Sequence, residues 1–274
     1  MITRSPSLKQ AAWTAICLMG LGAAFSQVPA GLVKREAQAG KTDDPTAALI
    51  ALVSAPEADS EACQALLLKG ANPNAHDSFR GQSVLMVAVL GARTLKGRAG
   101  PLDEEKSAAR LEVARILLDA GADPNKARSE GLLAGFTPLM AAAAGDLSKA
   151  VELLLRYKAD VNAQSSEGMT ALCYAARDNN VPILKLLANA GGDVNGGKDF
   201  KPLHLAARCG SRQAAAFLLD SKADVNAKNA AQRTPLGEAQ DLLRAKLNDP
   251  NSDSDEIKRL QEVISLLREH GGKE

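Results

Sequence analysis

One five-residue phrase recurs along the chain: Gly70–Asn74 (GANPN), Gly121–Asn125 (GADPN), Lys158–Asn162 (KADVN), Gly191–Asn195 (GGDVN) and Lys222–Asn226 (KADVN). Repetition of this kind dictates a linear array, because each unit can bury its apolar side only against its neighbours. The closing asparagines stand 51, 37, 33 and 31 residues apart. The last two intervals bracket a period of about 33 residues, and the two longer ones require insertions.

An array needs no large central core, and the composition agrees. Hydrophobic residues make up 46% of the 274 residues but aromatic ones only 3%. The interior must therefore be built from Ala, Leu and Val, which suits thin helices stacked closely. A formal net charge of +1 argues against a polyanionic partner such as nucleic acid.

The N-terminus reads as a separate object. Arg4 and Lys9 precede an uncharged apolar run, Ala11–Phe25, and Ala24 and Ser26 place small residues before Gln27. This is the layout of a secretory signal peptide over 1–26. The run is short for a membrane-spanning helix, which needs about 20 residues; an uncleaved anchor is the alternative. Cleavage would leave 31 basic against 32 acidic residues and three cysteines, Cys63, Cys173 and Cys209. An odd count leaves one thiol unpaired in an oxidising compartment, and small buried side chains are the expected role for all three. Residues 27–45 have no helical or strand period and read as a linker.

A second motif accompanies the first. It appears as Thr137-Pro138-Leu139-Met140-Ala141-Ala142, Thr170-Ala171-Leu172-Cys173-Tyr174-Ala175, Lys201-Pro202-Leu203-His204-Leu205-Ala206 and Thr234-Pro235-Leu236-Gly237-Glu238-Ala239, with a weaker copy from Ser83 to Ala88. Thr or Ser caps a helix and Pro suits its first turn. An apolar triplet of a second helix starts sixteen residues later, at Leu153, Leu186 and Phe217. Together the two motifs resemble the ankyrin-repeat family over about 46–274. The resemblance implies an all-α solenoid of about six repeats, each a helix-turn-helix plus a hairpin-like finger. The chain departs from the pattern in two inter-helix insertions, about 92–108 and 248–256, and Lys201 stands where the family's Thr would bond His204.

Enzymatic chemistry is not expected. His76, His204 and His270 lack metal-ligand spacing, and no HExxH, CxxC, phosphate loop or GxSxG occurs. No cofactor or metal is expected. The resemblance instead implies protein binding through the fingers and first helices, which in that family form a concave face. Carried over by position, the face comprises Phe79, Arg80, Gln82, Phe136, Glu167, Met169, Lys198, Phe200 and Arg233 from the fingers. The first helices add Arg177, Asp178, Arg208 and Asp241. Leu133 joins them because its finger is four residues longer than the next and carries a Leu pair flanked by glycines. Aromatic and Arg anchors are the usual make-up of a binding hot spot; the alternative is that each Phe packs against a neighbouring finger. The expected function is an exported, periplasmic, monomeric scaffold or accessory factor for another protein, the alternative being an immunity protein that occludes a toxin or secreted enzyme.

Overall fold

A computed structural model describes residues 44–55, 59–77, 81–91, 104–129, 134–197 and 200–274. The expected signal segment, most of the linker and much of the first insertion lie outside these residues. Twelve helices are described: α1 (Pro45–Ser54), α2 (Ser60–Leu68), α3 (Val84–Gly91), α4 (Glu104–Asp119), α5 (Pro138–Ala144), α6 (Ser148–Arg156), α7 (Ala171–Arg177), α8 (Val181–Asn189), α9 (Pro202–Arg208), α10 (Arg212–Asp220), α11 (Pro235–Leu247) and α12 (Ser254–Glu269). They pair in sequence, and each pair stacks on the next, odd helices on odd and even on even. The result is an all-α solenoid of six repeats. The odd helices are packed more closely than the even ones, which tapers the stack toward the odd-helix side.

The starts of the odd helices follow their capping chemistry. Thr137, Thr170, Thr234 and Ser83 accept bonds from the N–H groups of Met140, Cys173, Gly237 and Met86 at 3.2, 3.4, 3.1 and 3.2 Å. The first repeat, whose start the motif does not reveal, uses Asp44 as its cap and Pro45 as its first residue. Lys201 makes no capping bond; its Nζ donates to the Asn195 carbonyl at 3.0 Å. In consequence buried His204 has Nε2 against the Arg233 carbonyl at 2.9 Å and an unpartnered Nδ1. Burial lowers its pKa, against the opposing pull of that carbonyl.

Even helices end on a left-handed residue, at Gly70, Gly121, Gly191 and Gly271 with φ between 80 and 90°. Lys158 and Lys222 hold the same place at φ 61 and 66°, a conformation that costs a side-chain-bearing residue about 1 kcal/mol. The recurrent phrase follows. Within each turn the first Asp or Asn accepts from the N–H two residues on: Asn72, Asp123, Asp160, Asp193 and Asp224, at 2.8–2.9 Å. The closing asparagine then reaches the next repeat. Asn74, Asn125, Asn162 and Asn195 accept from the N–H of Asp123, Asp160, Asp193 and Asp224 at 2.7–2.8 Å. Asn226 accepts from Lys273 N–H at 2.7 Å, and Thr46 serves Asn72 N–H at 3.0 Å. Amide Nδ2 groups of Asn74, Asn162 and Asn226 donate to the carbonyls of Gly121, Gly191 and Gly271 at 3.0–3.2 Å. One row of side chains thus joins all six repeats.

Fingers are short turns, with a single bridge between His76 and Ser83 as the only β pairing among the described residues. Adjacent fingers are tied by backbone bonds, Ser129 N–H to the Gly81 carbonyl and Ser166 N–H to that of Ala134, at 3.1 and 2.9 Å. Cys63 and Cys173 are buried, Cys209 is half-buried, and none is bonded to another. Burial pushes the Cys63 thiol up to about 11, with the Asp59 carboxylate adding to it.

Replacing Asn162 by Ala removes its bonds to Asp193 N–H and the Gly191 carbonyl and costs about 1–2 kcal/mol, read as a lower urea midpoint. A midpoint equal to the parent's would take the ladder out of this account. Lys201→Thr supplies both a cap and a hydroxyl for His204 Nδ1, and stability rises by about 1–2 kcal/mol. Because His204 is held neutral, its contribution is full above the unfolded value of about 6.5 and is lost as pH falls below it. A His204→Gln variant should therefore show a flatter midpoint profile from about pH 7.5 to 5.5, and an unchanged slope would contradict the assignment.

Candidate functional site

The odd helices that carry the motif bury most of their Leu and Ala positions and leave its eighth position at least partly exposed. The eighth position is Arg177 in α7, Arg208 in α9 and Asp241 in α11, and the fifth in α11 is Glu238. These side chains pair among themselves. Arg177 Nε contacts Asp178 at 2.8 Å, and its guanidinium lies 5.3 Å from the Tyr174 ring centroid. Arg208 meets Glu238 at 3.8 Å across two repeats. Arg233 bonds Asp241 and also donates to the Gly237 carbonyl at 3.0 Å. Burial raises the Glu238 pKa, opposed by the neighbouring arginines Arg208 and Arg233. Gly237, where the previous repeat has His204, leaves room for the Arg233 side chain, whose guanidinium atoms would lie 3.6 Å from a Cβ there. A hollow of about 280 Å³ beside them is bounded by Gln240, Arg244 and Glu274 as well.

The fourteen candidate contact residues therefore divide. Asp178, Arg233 and Asp241 are exposed, Arg177, Arg208 and Glu167 are partly so, and all but Glu167 belong to the ion-paired row. Gln82, Phe136 and Met169 are 3, 1 and 2% exposed, which removes them as surface anchors. Phe136 meets Tyr174 edge-on, ring centroids 5.2 Å apart at 85°. Finger aromatics were expected at an exposed edge; here the close approach of neighbouring repeats encloses the ring instead. Phe200 is half-buried and packs on the core, and its carbonyl accepts from Cys173 Sγ at 3.1 Å. Phe79, Arg80, Leu133 and Lys198 lie outside the described residues.

Glu238 and Arg244 belong to the same surface and were missed from sequence, whereas Tyr174, beneath Arg177, is 3% exposed. Glu238 stands at the fifth place of the Thr234 motif. Arg244 approaches Asp241 at 3.8 Å. Among the described residues, no three His, Cys, Asp or Glu side chains are grouped as a metal site needs.

Phe136→Ala should cost about 3–5 kcal/mol of stability, measured by denaturant unfolding. A loss below about 1 kcal/mol would mean that the ring is not part of the core.

A family model of ankyrin repeats matches residues 139–229 in three copies. The neurogenic locus notch homolog protein 1 of Xenopus tropicalis is 37% identical over 131 residues, 47% of this chain and 5% of that protein. An ankyrin repeat and KH domain-containing protein, mask-1, of Caenorhabditis elegans is 38% identical over 112 residues, 39% of this chain and 4% of its own length. Alpha-latrocrustotoxin-Lt1a of Latrodectus tredecimguttatus is 34% identical over 100 residues, 35% and 7% of the two chains. The matched region thus spans only a small fraction of each relative. Residues 139–229 thus match the ankyrin-repeat model, and helix pairs of the same build continue the stack on both sides.

Proposed function

We propose that the chain is a protein-binding scaffold or accessory factor whose contact surface is the finger and odd-helix face. Ankyrin repeats are generic protein–protein interaction modules, and the observation that carries the reading for this chain is the row of charges on that face. Arg208, Arg233, Glu238 and Asp241 neither fill the core nor cap a helix, while Arg177 lies against the Tyr174 ring with its side chain 9% exposed. Their mutual pairing holds them in fixed positions on a rigid stack, so little ordering remains for binding to impose. A partner's acidic and basic groups can replace these pairings one for one, which gives specificity and steering.

Export of the mature chain 27–274 to the periplasm is part of the proposal. It rests on the basic and apolar pattern of residues 1–26. Among the described residues, no helix is long and apolar enough to cross a membrane.

In capture from a periplasmic extract, Arg208→Ala combined with Asp241→Ala should weaken retention of the partner by tenfold or more at an unchanged melting temperature. Full retention would exclude this face. N-terminal sequencing of the expressed protein should begin at Gln27; an intact, cytosolic chain would refute the export reading.

A further inference from the structure

α4 of the second repeat matches α12 in length, but only in the last repeat, among the described residues, are both helices of the pair lengthened. α11 has 13 residues and α12 has 16, where α7 has 7 and α8 has 9. At 1.5 Å per residue the pair extends about 10 Å beyond the edge of the stack. Its base rests on the α9–α10 turn, where a Cβ on Gly210 would lie 2.8 Å from that of Arg259. Near the tip Lys246 and Glu256 join the two helices at 2.7 Å.

Between these helices runs an open groove of about 410 Å³. One stripe of each helix lines it, with spacing i, i+3/i+4, i+7: Gln240 to Leu247 on α11 and Gln261 to Arg268 on α12. Its apolar members are Leu247, 60% exposed, and the partly exposed Leu243, with Ile264 forming the floor at 5% exposure. Its charged members are both arginines, Arg244 and Arg268. The Arg244 side chain is 78% exposed and touches Asp241 only at 3.8 Å; Arg268 is exposed. Each earlier helix pair is covered by the following pair, whereas nothing among the described residues covers this one.

We propose that this groove receives an amphipathic helix of a partner protein, one with large apolar side chains at i, i+3/i+4 and i+7 and carboxylates along its flanks. Two parallel stripes of matching spacing form the seat that a third helix fills by ridge-into-groove packing. Paired arginines at the rim select acidic flanks and penalise basic ones. A second copy of this chain is a poorer occupant, because a two-fold contact sets the same patch on itself and faces arginines with arginines. The groove adjoins the finger face and shares Gln240 and Arg244 with the hollow there, but Leu247 and Arg268 line the groove alone, so substitutions at these two test it apart from the finger face.

The test uses the intact chain and a labelled helical peptide of about 15 residues with Leu at that spacing and Glu on its flanks, followed by fluorescence anisotropy. A control peptide carries Lys in place of Glu. The Glu peptide should bind at least tenfold more tightly than the Lys peptide. Leu247→Ser and Arg268→Glu should each weaken it by tenfold or more, while Arg208→Ala on the finger face leaves it unchanged. Failure of the Glu peptide to bind, equal binding of both peptides, insensitivity to the two groove substitutions, or a dimer in sedimentation that Leu247→Ser dissolves would each overturn the proposal.

Discussion

The side chain of the closing asparagine is the interaction on which the array depends. A helix pair alone exposes half of its apolar surface, and apolar contact between neighbouring pairs is indifferent to small rotations or slips. Asparagine supplies the missing direction. Its Oδ1 accepts from a backbone N–H one repeat on, and its Nδ2 donates to the carbonyl of a left-handed residue there, as at Asn162. Both partners are backbone groups of the turn that follows a helix, and such groups must find a bond somewhere. The same row continues at both described ends with other chemistry, Thr46 before the first rung and Lys273 N–H after the last.

A fixed register has a functional consequence. Because each unit is set relative to the next, equivalent motif positions line up across repeats and side chains can meet over long sequence distances. Arg208 and Glu238 lie in different helices of adjacent units yet form one ion pair. That pair is thus a property of the stack, whereas Arg177–Asp178 and Arg233–Asp241 each form within one repeat. Exposed ion pairs contribute little to stability, so their arrangement is free to vary with what the surface must recognise.

The last repeat modifies this scheme. Lengthened helices need no new core; they carry an extra length of surface past the edge of the preceding unit. Leu247 is exposed there in a helix pair that is otherwise amphipathic toward the stack. Among the described residues Leu68 is the other large apolar side chain with high exposure. It occupies the place before the helix-ending residues where later repeats carry Asp119, Arg156, Asn189, Asp220 and Glu269. Nothing in the structure accounts for it.

Most of the fold was legible in the residues alone: the number of units, the capped helix starts and the recurrent turn between units. Each is local, set by hydrogen-bonding and backbone chemistry within a few residues, so it repeats wherever the phrase repeats. The site was legible only in part. Motif register placed Arg177, Arg208 and Asp241 at equivalent positions of successive repeats, but no local rule distinguishes an exposed finger aromatic from an enclosed one. How closely one finger approaches the next decided that Phe136 and Met169 are core and that Tyr174 lies between a ring and a guanidinium. Burial depends on the distance between units, and that distance exists only once the stack has formed.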